Sequence, residues 1–548
     1  MNLLLLLLRT ARGPVALAVF AGVIGGLGSA ALIAFVQTAL IDPSAAGAPL
    51  IGAFAGLCLL VLVTKIISQA ILIRIAQGAI YDLQLHLSRS ILAAPLRGLE
   101  QFGPHRVLAL LTEDVRMIAH ALLGLPVVAI NLAVLICCLG YLGWLSPVML
   151  AAVVLFLIVG ATSYHLVVMR AMRYLLRARD EQDDLMKQFR GLTDGAKELK
   201  LHRPRRHEFV DQLLEPACAR FRADTTAGMT LYSAAGAWGQ LLFFICIGML
   251  LFLLPRWFEL SQSVLAGAVL TTLFAASPLE SIMGWLPAFG QARISFAKVQ
   301  QLARMPVEPM PVAELARVPE VGRLPLRNLE LCGVTHTYER EGEEGGFMLG
   351  PIDMKIHSGE IVFVIGGNGS GKTTLAKVLV GLYAPEGGEI RLNGRAIADG
   401  ERESYRQHFS AVFGDFYLFE RLVGLGRPEL DAEAADYLEQ LHLDHKVAVR
   451  DGAFTTTALS QGQRKRLALL TAYLEDRPVY LFDEWAADQD PVFKRVFYTQ
   501  LLPELRARGK AVVVISHDDR YFGVADRIVR LDYGRLAAAA PDHVPCPA

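Results

Sequence analysis

The chain has 548 residues, 53% of them hydrophobic and 19% charged, and its 53 lysines and arginines are balanced by 53 aspartates and glutamates. That balance excludes the strong basic excess by which a nucleic-acid binder attracts phosphate backbones, and the length exceeds what one hydrophobic core holds. Apolar residues crowd before about residue 300 and charge becomes dense after Arg323, so a membrane half precedes a water-facing half.

The first residues, MNLLLLLLRTARGP, carry their basic groups after the leucine run and show no small-residue cleavage site. They read as a short interfacial helix, not a secretory signal. Six apolar stretches near the spanning length of about 20 residues follow, at 15–37, 50–73, 121–141, 148–168, 231–254 and 264–285. Soluble cores rarely string so many together. The connections after the second and fourth stretches are rich in arginine and lysine, whereas 41–48 and 143–147 have none and Arg256 stands alone between the last two. By the positive-inside rule both termini and the two long connections are cytoplasmic.

Those connections, 74–120 and 169–230, are predicted to be largely helical, with breaks at Gly103-Pro104 and Arg203-Pro204, and to extend well beyond the bilayer. Polar groups in or near the spans are Lys65, Asn131, His165, Gln240 and Glu280. Glu280 and Gln240 are candidates to line a substrate path, because intramembrane polarity tends to face a wet cavity. Lys65 at the end of its span and Asn131 bonded to a neighbouring helix have simpler readings. The seven cysteines show no C-x-x-C spacing and are expected to be free thiols. Five prolines between 305 and 325 mark a linker, giving domains 1–304 and 326–548 on either side.

After the linker, short β-rich runs alternate with helical segments, the pattern of an α/β sheet. An apolar run, 361–365, feeds Gly366, Gly367, Asn368, Gly369, Ser370, Gly371, Lys372, Thr373 and Thr374, which fits G-x-x-x-x-G-K-[ST]. Its glycines let backbone N–H groups turn onto a β-phosphate; Lys372 adds charge toward the β and γ oxygens and Thr373 offers a hydroxyl to Mg²⁺. Upstream, Tyr338 could stack on a base or simply pack in the core. Downstream, Leu459 to Arg466 opens a helix with Ser460 and Gly462, an end suited to a γ-phosphate. The run 479–482 ends in Asp483, placed to hold Mg²⁺ through water, and Glu484, placed to polarise the attacking water. The strand 511–515 ends in Ser516 and His517, where the histidine can contact the γ-phosphate.

The cradle, the LSQGQ signature, the Asp483-Glu484 pair and His517, behind six spans, resemble an ATP-binding-cassette exporter half-transporter over nearly the whole chain. FMLGPI at 347–352, GGNG at 366–369, FSAVF at 409–413, DEWAADQDP at 483–491 and SHDD at 516–519 resemble the cyclic-peptide exporter branch, which includes exporters of pyoverdine, microcin and syringomycin type. The resemblance implies a multidomain membrane protein: an all-α six-helix transmembrane domain of the type I exporter fold, then an α/β P-loop nucleotide-binding domain. It implies ATP and Mg²⁺, with Tyr338 stacking on adenine, Lys372 and Thr373 on the phosphates and metal, and Asp483 at the metal. It makes Glu484 the general base, Asp490 the D-loop aspartate and His517 the switch. Ser460 and Gly462, with Gln463 beside them, would act on nucleotide held by the other protomer of a homodimer. Two positions depart from the wider superfamily: Gly414, followed by Asp415, replaces the loop glutamine, and Gln461 replaces the commoner glycine of the signature. The implied activity is ATP-driven export of a peptide, with a siderophore precursor as leading cargo, across a bacterial inner membrane. Lipid surrounds the spans, the nucleotide domain is cytoplasmic, and no nucleic acid is a partner. A lipid or lipopeptide flippase, microcin-type efflux and a regulatory ATPase are the alternatives.

Overall fold

The computed structural model describes residues 12–41, 48–258, 261–303, 326–338, 346–426 and 428–537. The interfacial segment expected before residue 12 and the linker at 305–325 lie outside the described residues. Two compact units result: Met1–Leu85 with Thr112–Val299, and His86–Leu111 with Gln300–Ala548.

The first unit is helical. Each predicted span falls within one helix: α1 (Arg12–Ile41), α2 (Ala48–Ala93), α3 (Val115–Leu145), α4 (Pro147–Asp194), α5 (Glu215–Gly248, continued by the π-turn Met249–Leu253) and α6 (Gln262–Ala303). Among the described residues five helical stretches are long and apolar enough to cross a membrane, and α1 adds the shorter apolar stretch Phe20–Ser29. Lipid offers backbone groups no hydrogen bonds, so each crossing must satisfy its own, which is why apolar runs of this length fold as helices. The turn between α3 and α4 is set by Ser146, whose hydroxyl accepts from Met149 N at 3.4 Å, and by Pro147 at the first helical position.

Close packing and a few polar bonds hold these helices. A Cβ on Gly22 of α1 would stand 2.2 Å from Ile130 of α3, so only glycine permits that approach. Asn131 donates to Val127 O at 2.8 Å and to Ser281 Oγ at 3.1 Å, joining α3 to α6. Asp114, buried just before α3, accepts from Ser295 Oγ at 2.7 Å and pairs with Lys298 at 3.5 Å on the last turns of α6. Both predicted breaks are present: Gly103 (φ 89°) separates the short helices Leu96–Phe102 and Pro104–Ala109, and His202 caps the helix Arg203–Glu208.

The second unit is built on strands β1 (Asn328–Tyr338), β2 (Phe347–His357), β3 (Ile361–Ile365), β4 (Gly387–Leu392), β5 (Arg395–Ala396) and β6 (Phe409–Val412), then β7 (Val449–Arg450), β8 (Ala453–Phe454), β9 (Val479–Asp483), β10 (Ala511–Ile515), β11 (Arg527–Asp532) and β12 (Arg535–Leu536). An antiparallel sheet runs β2-β1-β4-β5, a larger one runs β12-β11-β3-β10-β9-β6, and β7-β8 form a hairpin. In the larger sheet β11, β3, β10, β9 and β6 are parallel. IVFVI, VYLFD and AVVVI are buried almost throughout, as strands covered on both faces must be. Phe363, Phe482 and Trp485 fill one face, and Val362, Leu375 and Leu481 the other.

Residues 86–111 belong to this unit. Leu96 packs on its second core, Arg97 pairs with Glu386 at 2.6 Å, and Glu100 binds Lys377 at 2.7 Å and the Tyr383 hydroxyl. Cys58, Cys137, Cys138, Cys218 and Cys246 are free thiols as expected, whereas Cys332 is disulfide-bonded, a departure from the reading of every cysteine as a thiol.

Candidate functional site

The cradle lies between β3 and α7 (Lys372–Leu379), at the carboxyl ends of the parallel strands, where α/β sheets bind ligands. Two of its glycines are required by geometry. A Cβ on Gly366 would stand 2.1 Å from Leu531 O, and one on Gly371 (φ 97°) would meet the Phe347 ring at 2.7 Å. Lys372 is 6% exposed and curls back to donate to Gly366 O at 3.1 Å and Gly367 O at 2.9 Å. Gly367, Asn368, Gly369 and Thr373 are exposed, Thr374 is half-buried, and the Ser370 hydroxyl is buried without a partner.

The strand order β3-β10-β9 brings the other predicted groups to the same edge. Asp483 ends β9 at 3% exposure, with Oδ1 lacking any hydrogen bond. Burial holds its carboxyl above the usual aspartate range; a hydrogen bond from Thr373 and the charge of Lys372 oppose this, while Glu484 and Asp415 add to it. Asp415, beside the glycine that replaces the loop glutamine, is thus within electrostatic reach of Asp483. Glu484 takes a left-handed conformation (φ 48°), and its N–H donates to Ile515 O at 3.1 Å. That turn aims its carboxylate at the end of β10, where Oε1 lies 3.2 Å from His517 Nε2. Tyr338, 38% exposed, ends β1 opposite Phe347.

Ser460 caps α8 (Gln461–Glu475) in a reciprocal box with Gln463: its hydroxyl accepts from Gln463 N at 3.4 Å, and its own N–H donates to Gln463 Oε1 at 3.3 Å. Gly462 O accepts from Gln489 Nε2 at 2.9 Å. The signature residues are therefore fastened to the loop after β9 of their own chain. Asp490 caps the helix Pro491–Val496, accepting from Phe493 N at 2.9 Å, and pairs with Arg466; these contacts hold its carboxyl below the usual range, the Phe493 N–H first.

Sequence reasoning missed the residues that do the fastening. Lys465, 3% exposed, reaches Asp488 at 2.7 Å and Glu484 O at 3.2 Å, and Gln461 Nε2 donates to the same Asp488 carboxylate at 3.2 Å. Arg466 donates to Gln489 Oε1 at 2.9 Å and lies over the Phe493 ring at 3.9 Å. The only available signal was the run Arg464-Lys465-Arg466 on a helix with a buried face, and nothing in it marks the middle cation as the buried one.

Magnesium nucleotide fits these residues. Asp483 Oδ1 is a buried acceptor with no donor, and the glycines clear space where a Cβ would intrude. Among the described residues no group of three or more His, Cys, Asp or Glu could hold a metal, so a cation at Thr373 and Asp483 would complete its shell with phosphate and water.

Residues 349–487 match the ABC transporter family, and residues 4–189 match the ABC transporter transmembrane region. The ATP-binding protein SyrD of Pseudomonas syringae pv. syringae is 40% identical over 463 residues, 83% of this chain and 82% of that one. This chain belongs to the ABC transporter family. It is an exporter half-transporter, a multi-pass membrane protein whose ATPase cassette lies outside the membrane, and it couples ATP hydrolysis to transport. An ATP-dependent lipid A-core flippase of Ralstonia nicotianae is 33% identical over 218 residues, 37% of this chain and 36% of the flippase. A macrolide export protein MacB of Salmonella typhi is 30% identical over 39% of this chain and 34% of its own length. The fold resembles the ATP-bound structure of a bacterial Atm1-family ABC exporter, with a TM-score of 0.75 at 18% identity over 97% of this chain and 95% of that one.

Proposed function

We propose that two copies of this ABC exporter chain, in a bacterial inner membrane, hydrolyse ATP to move an amphipathic peptide from cytoplasm to periplasm, with a siderophore precursor as the leading cargo. One observation supports the dimer above the rest. The cradle, Asp483, Glu484 and His517 share one sheet edge, while Ser460 and Gly462 are fastened to the loop after β9. A nucleotide enclosed on both sides then needs Ser460 and Gly462 of the partner subunit.

In this reading the backbone N–H groups of 367–373 hold the phosphates, and the Lys372 ammonium leaves the carbonyls of Gly366 and Gly367 to meet them. Mg²⁺ bound with the nucleotide neutralises charge on the phosphate oxygens. Thr373 and Asp483 are the groups that would hold it. Glu484 takes the proton of the attacking water, and its 3.2 Å contact with His517 orients the carboxylate before nucleotide arrives. Tyr338 is exposed enough to stack on the base.

The peptide assignment is supported by the motifs at 347–352, 409–413 and 483–491 that resemble the cyclic-peptide exporter branch, and the SyrD match runs through both units. The matches to lipid A-core flippases extend over 37% and 48% of the chain, against 83% for SyrD. Purified protein in proteoliposomes should raise its ATP turnover with a cyclic peptide and take the peptide up. Glu484→Gln should keep ATP affinity and lose turnover by about 10²–10³-fold, uptake falling with it. Movement of a labelled phospholipid with no peptide uptake would transfer the assignment to a flippase, and retained turnover in Glu484→Gln would remove that residue from the base role.

A further inference from the structure

Glu280 is the only aspartate or glutamate in the six apolar stretches. Its side chain is exposed and makes no hydrogen bond or ion pair among the described residues. A carboxylate turned to hydrocarbon is costly, so an unpaired one in a span belongs on a wet or ligand-bearing surface.

Its surroundings are polar on more than one helix. Tyr164 of α4 lies within electrostatic reach of both Glu280 and Tyr232 of α5. Depth agrees with this: Glu280 and Tyr164 each come sixteen residues after the outer ends of their stretches at 264 and 148, about 24 Å along a helix. Tyr232 stands at the cytoplasmic end of the fifth stretch, so the three meet toward the inner leaflet, where cargo from the cytoplasm arrives. Beside Tyr164, Ser163 accepts from Trp238 Nε1 at 3.1 Å, and a Cβ on Gly239 would touch the Tyr164 ring at 3.5 Å, so α5 carries an indole next to the cluster.

A carboxylate, two phenols and an indole form a surface that attracts cations and disfavours anions.

We propose that Glu280, with Tyr164 and Tyr232, forms a subsite on the translocation path for an ammonium or guanidinium group carried by amphipathic cargo. The proposal rests on the peptide-export reading and narrows it to cationic peptides.

The test compares two dansyl-labelled cyclic lipopeptides, one with free lysine side chains and its Nε-acetylated twin, on the full-length protein in proteoliposomes. The readout is the ratio of their half-maximal concentrations for stimulating ATP turnover, checked by uptake. Wild-type protein should favour the amine by about three- to fivefold, the difference that one partly exposed ion pair makes. Glu280→Gln should bring the ratio near one, and Glu280→Asp should restore most of it. The ratio is taken within each variant, so differences in folded fraction cancel, and the wild-type ratio needs no variant at all. A preference that survives in Glu280→Gln, or a wild-type ratio near one with both peptides transported, overturns the subsite and leaves the export reading standing. Transport of neither peptide overturns the peptide-export reading and the subsite with it.

Discussion

The two units answer to different solvents, and their chemistry is written differently. In the cassette the decisive groups are main-chain: N–H groups turned inward by glycines, a left-handed Glu484, and three strand ends brought to one edge. In the membrane unit the main chain is committed to helices, and specific polar contacts fall to sparse side chains such as Asn131 and the Asp114 cluster. A site made of backbone imposes a residue spacing. A site made of isolated side chains imposes only their presence.

The largest test of that contrast removes the one side chain on which the backbone site depends for charge. Lys372→Ala should cut ATP turnover by at least about 100-fold and abolish uptake, while the midpoint of thermal unfolding moves little; stopped-flow nucleotide binding with turnover assays checks both. Wild-type turnover would mean that the loop's N–H groups suffice alone.

A side-chain site should instead show itself in stability. Asp114→Ala leaves the buried Ser295 hydroxyl without its acceptor and Lys298 without its partner, so it should cost about 1–3 kcal/mol. Scanning fluorimetry in detergent should show a drop of several degrees, with basal turnover reduced less than by Lys372→Ala. An unchanged midpoint would show that the tie between α3 and α6 carries no stability.

The smallest effect concerns a carboxylate used by neither site. Glu475 accepts from Ser410 at 2.8 Å, and burial raises its pKa above the usual glutamate value. A carboxyl whose folded pKa exceeds its unfolded one costs stability, and the cost grows as pH rises from the unfolded value and is fully present above the folded one. Glu475→Gln, which keeps an acceptor for Ser410, should raise the melting midpoint by about 1–2 °C at pH 8. That gain should shrink as pH falls through the raised value toward the ordinary glutamate range. A gain independent of pH would place its origin in packing.

Much of the cassette was legible before folding because phosphate binding dictates glycine positions, and because strands buried on both faces must read as IVFVI, VYLFD and AVVVI. The spans were legible for a similar reason, since bilayer thickness sets helix length. What escaped were contacts between distant parts of the chain. Glu100 meets Lys377 and Tyr383 across 277 and 283 residues, and no periodicity announces a salt bridge of that separation. The Gln461 departure had no meaning until Asp488 was seen beside it, and Asn131 was readable only as polar until Ser281 supplied its partner.

The buried ammonium of Lys465, on the helix that Ser460 caps, grips the main chain of Glu484 and the carboxylate of Asp488 at once. The helix start and the acidic turn are thereby riveted together, so a shove on Ser460 would be handed to Glu484.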